Sequence, residues 1–132
     1  MLTETIINDA QTIRDNLSRA ERDLELAMER DAVARRALTD TKRDYQDAEA
    51  EIKFELWHSA AGSNDKLRSA EVDLGLVRAR TQGALVPTWR RLLVAQNEAE
   101  AATTALEQMK TRYRATETAA EITTAMLRAL SR

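Results

Sequence analysis

Stepping alternately by four and three residues from Ile6 reaches Ala10, Ile13, Leu17, Ala20, Leu24, Ala27, Asp31, Ala34, Leu38, Thr41, Tyr45, Ala48 and Ile52, and twelve of these fourteen positions are apolar. A repeat of ~3.5 residues held this long, with no Pro or Gly inside it, predicts one helix over about residues 3–60, about 70 Å long at ~1.5 Å per residue. Thr3 is placed to cap its start, with Glu4 in the first turn, and Gly62 within Ala61-Gly62-Ser63-Asn64 to end it in a left-handed turn. The two polar breaks in the stripe, Asp31 and Thr41, are expected to fix register as buried polar residues do in coiled coils.

A second stripe runs through Leu92, Ala95, Ala99, Ala102, Leu106, Met109, Tyr113, Thr116, Ala120, Thr123, Leu127 and Leu130, with ten of twelve positions apolar. It predicts a long helix over about residues 87–131, with Pro87 in its first turn. Residues 63–86 lie between. There Ser63 or Asn64 can cap a shorter helix over Asp65 to Arg80, weakened by Gly75 and stopped at Thr81-Gln82-Gly83. Two matched stripes joined by a compact insert imply an all-α chain of one helical domain, residues 1–132. Its form is a long antiparallel, coiled-coil-like hairpin with a short helical apex. Apolar residues off the stripes (Ile7, Met28, Val33, Phe54, Leu56, Val94, Ile122 and Met126) would be left in water by a lone hairpin, so a homo-oligomer is expected.

Composition sharpens this picture. The chain has 132 residues, 43% of them hydrophobic but only 4% aromatic, which suits thin helical seams better than a thick core. It has no Cys, so a disulfide frame, a thiolate zinc site and a cysteine nucleophile are all excluded. No apolar run approaches the ~20 residues that span a bilayer, and Met1-Leu2-Thr3-Glu4 lacks the basic and apolar regions of a signal peptide. A cytosolic location away from membranes is expected. The net charge of −2 hides a division, because residues 1–60 hold nine Lys/Arg against fourteen Asp/Glu, and residues 61–132 eleven against eight.

Catalytic chemistry finds little footing. Glu55-Leu56-Trp57-His58 has the Glu-x-x-His spacing of di-iron carboxylate bundles, but His58 is the only histidine and such a site needs a second. The Glu and Asp pairs at helical spacing are opposed by Arg and read as a solvated, salt-bridged face. Neither a Gly-rich phosphate loop, nor a G-x-S-x-G elbow, nor a Ser/His/Asp set is present. A non-enzymatic role with no catalytic residue, metal or cofactor is expected.

The apex holds the basic excess, Lys66, Arg68, Arg78, Arg80, Arg90 and Arg91, interleaved with Trp57 and Trp89, which folding is expected to bring together. Cations along a backbone with aromatic faces under the bases are the ingredients of single-stranded nucleic-acid binding. On that reading the six cations contact phosphates and Trp89 is the stacking residue; on the other, both tryptophans plug the apex core. A smaller basic patch, Lys110, Arg112 and Arg114, flanks the seam residue Tyr113.

Three features over roughly Asp44 to Leu130 carry a family resemblance: a helix ending at Ser59-Ala60-Ala61-Gly62, a capped segment Asn64-Asp65-Lys66-Leu67-Arg68-Ser69-Ala70-Glu71, and a long helix carrying Trp89-Arg90-Arg91-Leu92-Leu93. In these the chain resembles phage recombination mediators of the UvsY type. The resemblance implies a small helical oligomer that binds single-stranded DNA and assists a recombinase or annealing protein in homologous recombination. One difference stands out. Just ahead of the glycine turn, where that family looks to carry basic residues for DNA, only Lys53 is basic, between Glu51 and Glu55. Two other readings stay open: a coiled-coil scaffold or assembly chaperone of virion morphogenesis, acting through protein contacts, and an inhibitor whose acidic first helix mimics DNA.

Overall fold

The computed structural model describes residues 2–131, apart from the side chains of residues 2, 3 and 6. Among the described residues the chain forms three helices, α1 (Leu2–Ser59), α2 (Asp65–Gln82) and α3 (Val86–Leu130). The long helices α1 and α3 pack antiparallel with the short helix between them in the chain, as the stripes imply. The expected Thr3 cap falls on a side chain outside those described. Packing divides the chain into two units, one of Met1–Val33 with Glu100–Arg132 and the other of Ala34–Ala99.

In the Ala34–Ala99 unit, α1 ends where Ser59 turns its hydroxyl onto the Glu55 carbonyl at 3.0 Å. Asn64 caps α2, its backbone extended (φ −142, ψ 167) and its Oδ1 accepting the Leu67 N–H at 2.9 Å. The left-handed turn expected at Gly62 is not formed, since no described residue has positive φ. Glycine is needed there for space instead: a Cβ would lie 2.8 Å from the Arg68 amide nitrogen. Gly75 has a similar role, for a Cβ there would lie 2.8 and 2.9 Å from the two methyl carbons of Leu56. The residue that costs α2 helix propensity is thus what lets it settle onto α1.

The α2–α3 link is short and closed by backbone hydrogen bonds. Gly83 and Leu85 both donate to the Ala79 carbonyl, at 3.2 and 3.1 Å, and the Leu85 carbonyl accepts from Trp89 at 2.8 Å. These bonds hold Leu85 inward, 1% exposed, beside Val72 at 2%. Tyr45, Val72, Leu76, Leu85 and Leu92 form the core, with Leu38, Ala48, Ile52, Leu56, Trp57, Ala79 and Trp89 packed around it. Full burial of a side chain such as Leu85 contributes about 1.5–3 kcal/mol. Leu56, expected on the outer face, belongs to this packing, because the missing Cβ at Gly75 gives it room.

The other unit has only the α1 and α3 seams to work with. Ala20, Ala27 and Leu106 are buried, and so is Asp31, 7% exposed, whose Oδ1 accepts a hydrogen bond from the Thr103 hydroxyl at 3.0 Å. That bond crosses from α3 to α1 at the seam break where a register-fixing polar residue is expected. Thr41, in the Ala34–Ala99 unit, turns its hydroxyl onto the Ala37 carbonyl of its own helix and bonds to no other helix through it. Every described stripe position is withdrawn at least partly from solvent except Leu130, which is 59% exposed in the last turn of α3. Ile7, Met28, Val33, Phe54, Val94, Ile122 and Met126 are all exposed, as the off-stripe reading requires. No described helix is long and apolar enough to cross a membrane.

Candidate nucleic-acid interface

Tyr45 and Glu49 stand one turn apart on α1 and share a face. Arg80, in the last turn of α2, reaches both: its Nε donates to the Tyr45 hydroxyl and its Nη2 to Glu49 Oε2 at 3.1 Å. The same guanidinium lies 5.2 Å from the centre of the Trp89 ring and 5.8 Å from that of Tyr45, and the two rings tilt against each other with centroids 5.3 Å apart. One planar cation therefore ties α1, α2 and α3 together, through a charge-assisted hydrogen bond and two ring faces. Burial and the bond to Glu49 push the Tyr45 pKa up. The bond from Tyr45, aided by Arg80, holds the Glu49 carboxyl below its ordinary value despite partial burial.

Two of the seven predicted interface residues, Arg80 and Trp89, are thus engaged within the fold. A third, Arg68, lies half-buried over the Trp57 ring at 5.8 Å. The two tryptophans, expected together, border the same core cluster, and no ring contact between them is present among the described residues. Trp57 meets an arginine of the first turn of α2 and Trp89 one of its last turn, and positions 68 and 80 are about 18 Å apart along the helix at ~1.5 Å per residue. The other four, Lys66, Arg78, Arg90 and Arg91, are exposed and have no ion-pair partner among the described residues. Arg78 and Glu55 both line an open groove of ≈ 510 Å³, with Ser59 and Gln82.

The Tyr45–Glu49–Arg80 set is not evident from the hydrophobic stripe, which explains Tyr45 by its ring alone. A signal was present: a buried tyrosine hydroxyl requires a partner, and Glu49 stands one helical turn away. The patch on the far part of α3 is less free than its sequence suggests, for Lys110 pairs with Glu107 at 3.3 Å. Beside it the hydrogen bond to Glu117 raises the Tyr113 pKa. His58, in the last turn of α1, stacks edge-on against Phe54 with ring centroids 4.3 Å apart. Among the described residues no three His, Cys, Asp or Glu side chains gather into a metal-binding group. No family model matches the chain, and no curated protein or solved structure matches it either.

Proposed function

We propose that the chain is a non-enzymatic accessory of phage-type homologous recombination or annealing, which binds single-stranded DNA as a homo-oligomer and assists a recombinase or annealing protein. The observation that carries this reading is the exposure of Lys66, Arg78, Arg90 and Arg91 on one unit, none neutralised by a carboxylate of its own chain among the described residues. Repetition of this unit in an oligomer multiplies its field along a polyanion. Arg80 and Trp89 join the three helices of the unit that carries these cations. A base stacking on Trp89 would have to displace Arg80 or Tyr45, so phosphate contacts carry the affinity, and binding falls steeply with salt.

Anisotropy of a labelled oligo-dT at low and moderate salt, run beside light scattering for mass, tests the reading. Tight, salt-sensitive binding is expected. Changing Arg90 and Arg91 together to Glu abolishes it with helicity intact by circular dichroism, and unchanged binding by that variant would refute the reading. A second reading, a scaffold or assembly chaperone working through protein contacts, is favoured by Val33 and Phe54, 64% and 66% exposed. Absence of oligo-dT binding at low salt would make it the better account.

A further inference from the structure

The inner face of α2 buries Val72 and Leu76. Its outer face carries a second stripe: stepping alternately by three and four from Leu67 gives Ala70, Leu74, Val77 and Thr81, and all five are exposed. Leu67, Leu74 and Val77 are 50%, 54% and 52% exposed. The Thr81 hydroxyl bonds to the Val77 carbonyl at 3.0 Å, so its polar atom is already satisfied within the helix. A ~3.5-residue apolar repeat on a helix is the pattern that another helix covers.

The charges beside the stripe say which helix. Lys66 and Asp73 come just before Leu67 and Leu74, and Glu71 and Arg78 just after Ala70 and Val77. In a parallel, in-register pair, each residue of the first kind meets the residue five positions on in the partner. Lys66 then meets Glu71, and Asp73 meets Arg78. Both pairs are opposite in sign, and the two-fold axis repeats them. Lys66, Asp73 and Arg78 make no ion pair among the described residues, and Glu71 uses one oxygen, Oε2, to accept the Ala61 N–H at 3.0 Å. Antiparallel pairing fares worse. One of its two registers of equal overlap brings Glu71 against Glu71 and Asp73 against Asp73, and the other keeps only the Glu71–Arg78 pair, because its second pair puts Asp73 against Arg80, already taken by Tyr45 and Glu49.

We infer that the outer face of α2 is the docking surface for a second copy of this chain, the two α2 helices lying parallel and in register through Leu67, Ala70, Leu74, Val77 and Thr81. This rests on the oligomer in the proposed function and not on DNA binding. Pairing draws Lys66 and Arg78 toward carboxylates of the partner and leaves Arg90 and Arg91 as the cations open to phosphate.

The test is the mass of the chain by sedimentation at tens of micromolar, without DNA, so that failure of the DNA reading leaves it untouched. The full chain is expected at twice the monomer mass or a higher multiple, and Leu74→Glu, at an exposed position, to lower that mass at least twofold with unchanged helicity. Asp73→Lys weakens association, and adding Arg78→Glu restores it, which decides the matter even if Leu74→Glu disturbs the fold. In this cysteine-free chain, Leu74→Cys alone forms a disulfide-linked dimer on oxidation. A monomeric wild-type chain, an unchanged mass in both the Leu74→Glu and the Asp73→Lys variants, or cross-linking only when Leu74→Cys and Val77→Cys chains are mixed would each overturn the proposal.

Discussion

In the Ala34–Ala99 unit a third helix lies beside α1 and α3, and the buried positions include Tyr45, Val72, Leu76, Leu85 and Leu92. In the unit of Met1–Val33 with Glu100–Arg132, α1 and α3 have only each other, and the buried positions are Ala20, Ala27, Asp31 and Leu106. The larger seam residues there, Ile13, Leu17 and Leu24, stay half-exposed. A two-helix seam is open along both edges, so only a small side chain, or one directly between the backbones, escapes water. A third helix closes one edge and turns the same kind of stripe into a core with large side chains. Most of the packing energy is therefore expected in the Ala34–Ala99 unit, while the two-helix unit holds its alignment by the Asp31–Thr103 bond.

The sharpest way to break this contrast is to make the same truncation in both units. Leu85→Ala removes a side chain enclosed on all sides and is expected to cost about 2–5 kcal/mol, whereas Leu106→Ala, among alanines at an open seam, falls at or below the bottom of that range. Urea unfolding followed by circular dichroism measures both. Equal losses would mean that the two-helix unit is packed as well as the three-helix one.

A smaller effect probes alignment. Thr103→Val keeps the shape but takes a donor from a buried carboxylate, a loss of about 1–3 kcal/mol. Adding Asp31→Ala to it is expected to cost less than Asp31→Ala costs in the wild-type chain, because the bond to Thr103 is then already gone. Additive losses in the double variant would show that the pair does not act as a unit.

The smallest effect concerns pH. Glu49 has a depressed pKa in the fold, so its contribution is present above the ordinary carboxylate range and is lost as pH falls through the folded value. With the Arg80 and Glu49 side chains 31% and 28% exposed, solvent screening holds this to less than about 1 kcal/mol. Stability measured at pH 7 and pH 3 is expected to fall less in Glu49→Gln than in the wild-type chain, by that amount.

The helices and their inward faces were legible because a 3.5-residue repeat over many turns leaves little choice of face: the described stripe residues from Ala10 to Ile52 are all at least partly withdrawn from solvent. The Asn64 cap and Pro87 in the first turn of α3 were legible for a similar reason, since few residue types satisfy those backbone positions. What could not be read was contact between residues far apart in the chain. Gly62 and Gly75 looked like a conformational device and a weakness, whereas each marks the close approach of another segment. Arg80 looked like one more surface cation, and only the return of α2 along α1 puts Tyr45 and Glu49 within its reach. Of the candidate interface residues, Lys66, Arg78, Arg90 and Arg91 lie exposed, whereas Arg80 has partners thirty-one and thirty-five residues away, a contact that spacing along the chain does not reveal.

Both tryptophans, with Tyr45 and Phe54, lie in the Ala34–Ala99 unit, and the other unit has Tyr113 as its sole aromatic among the described residues. Excited at the red edge of its absorption, the protein therefore emits from one unit alone, with Arg80 and Arg68 each held over an indole whose surroundings change as soon as the helices part. Far-ultraviolet ellipticity, by contrast, sums over every turn of helix. The chain thus carries a built-in optical label for one of its halves, and the gap between an emission curve and an ellipticity curve, recorded on the same unlabelled sample, gives the order in which the two halves melt.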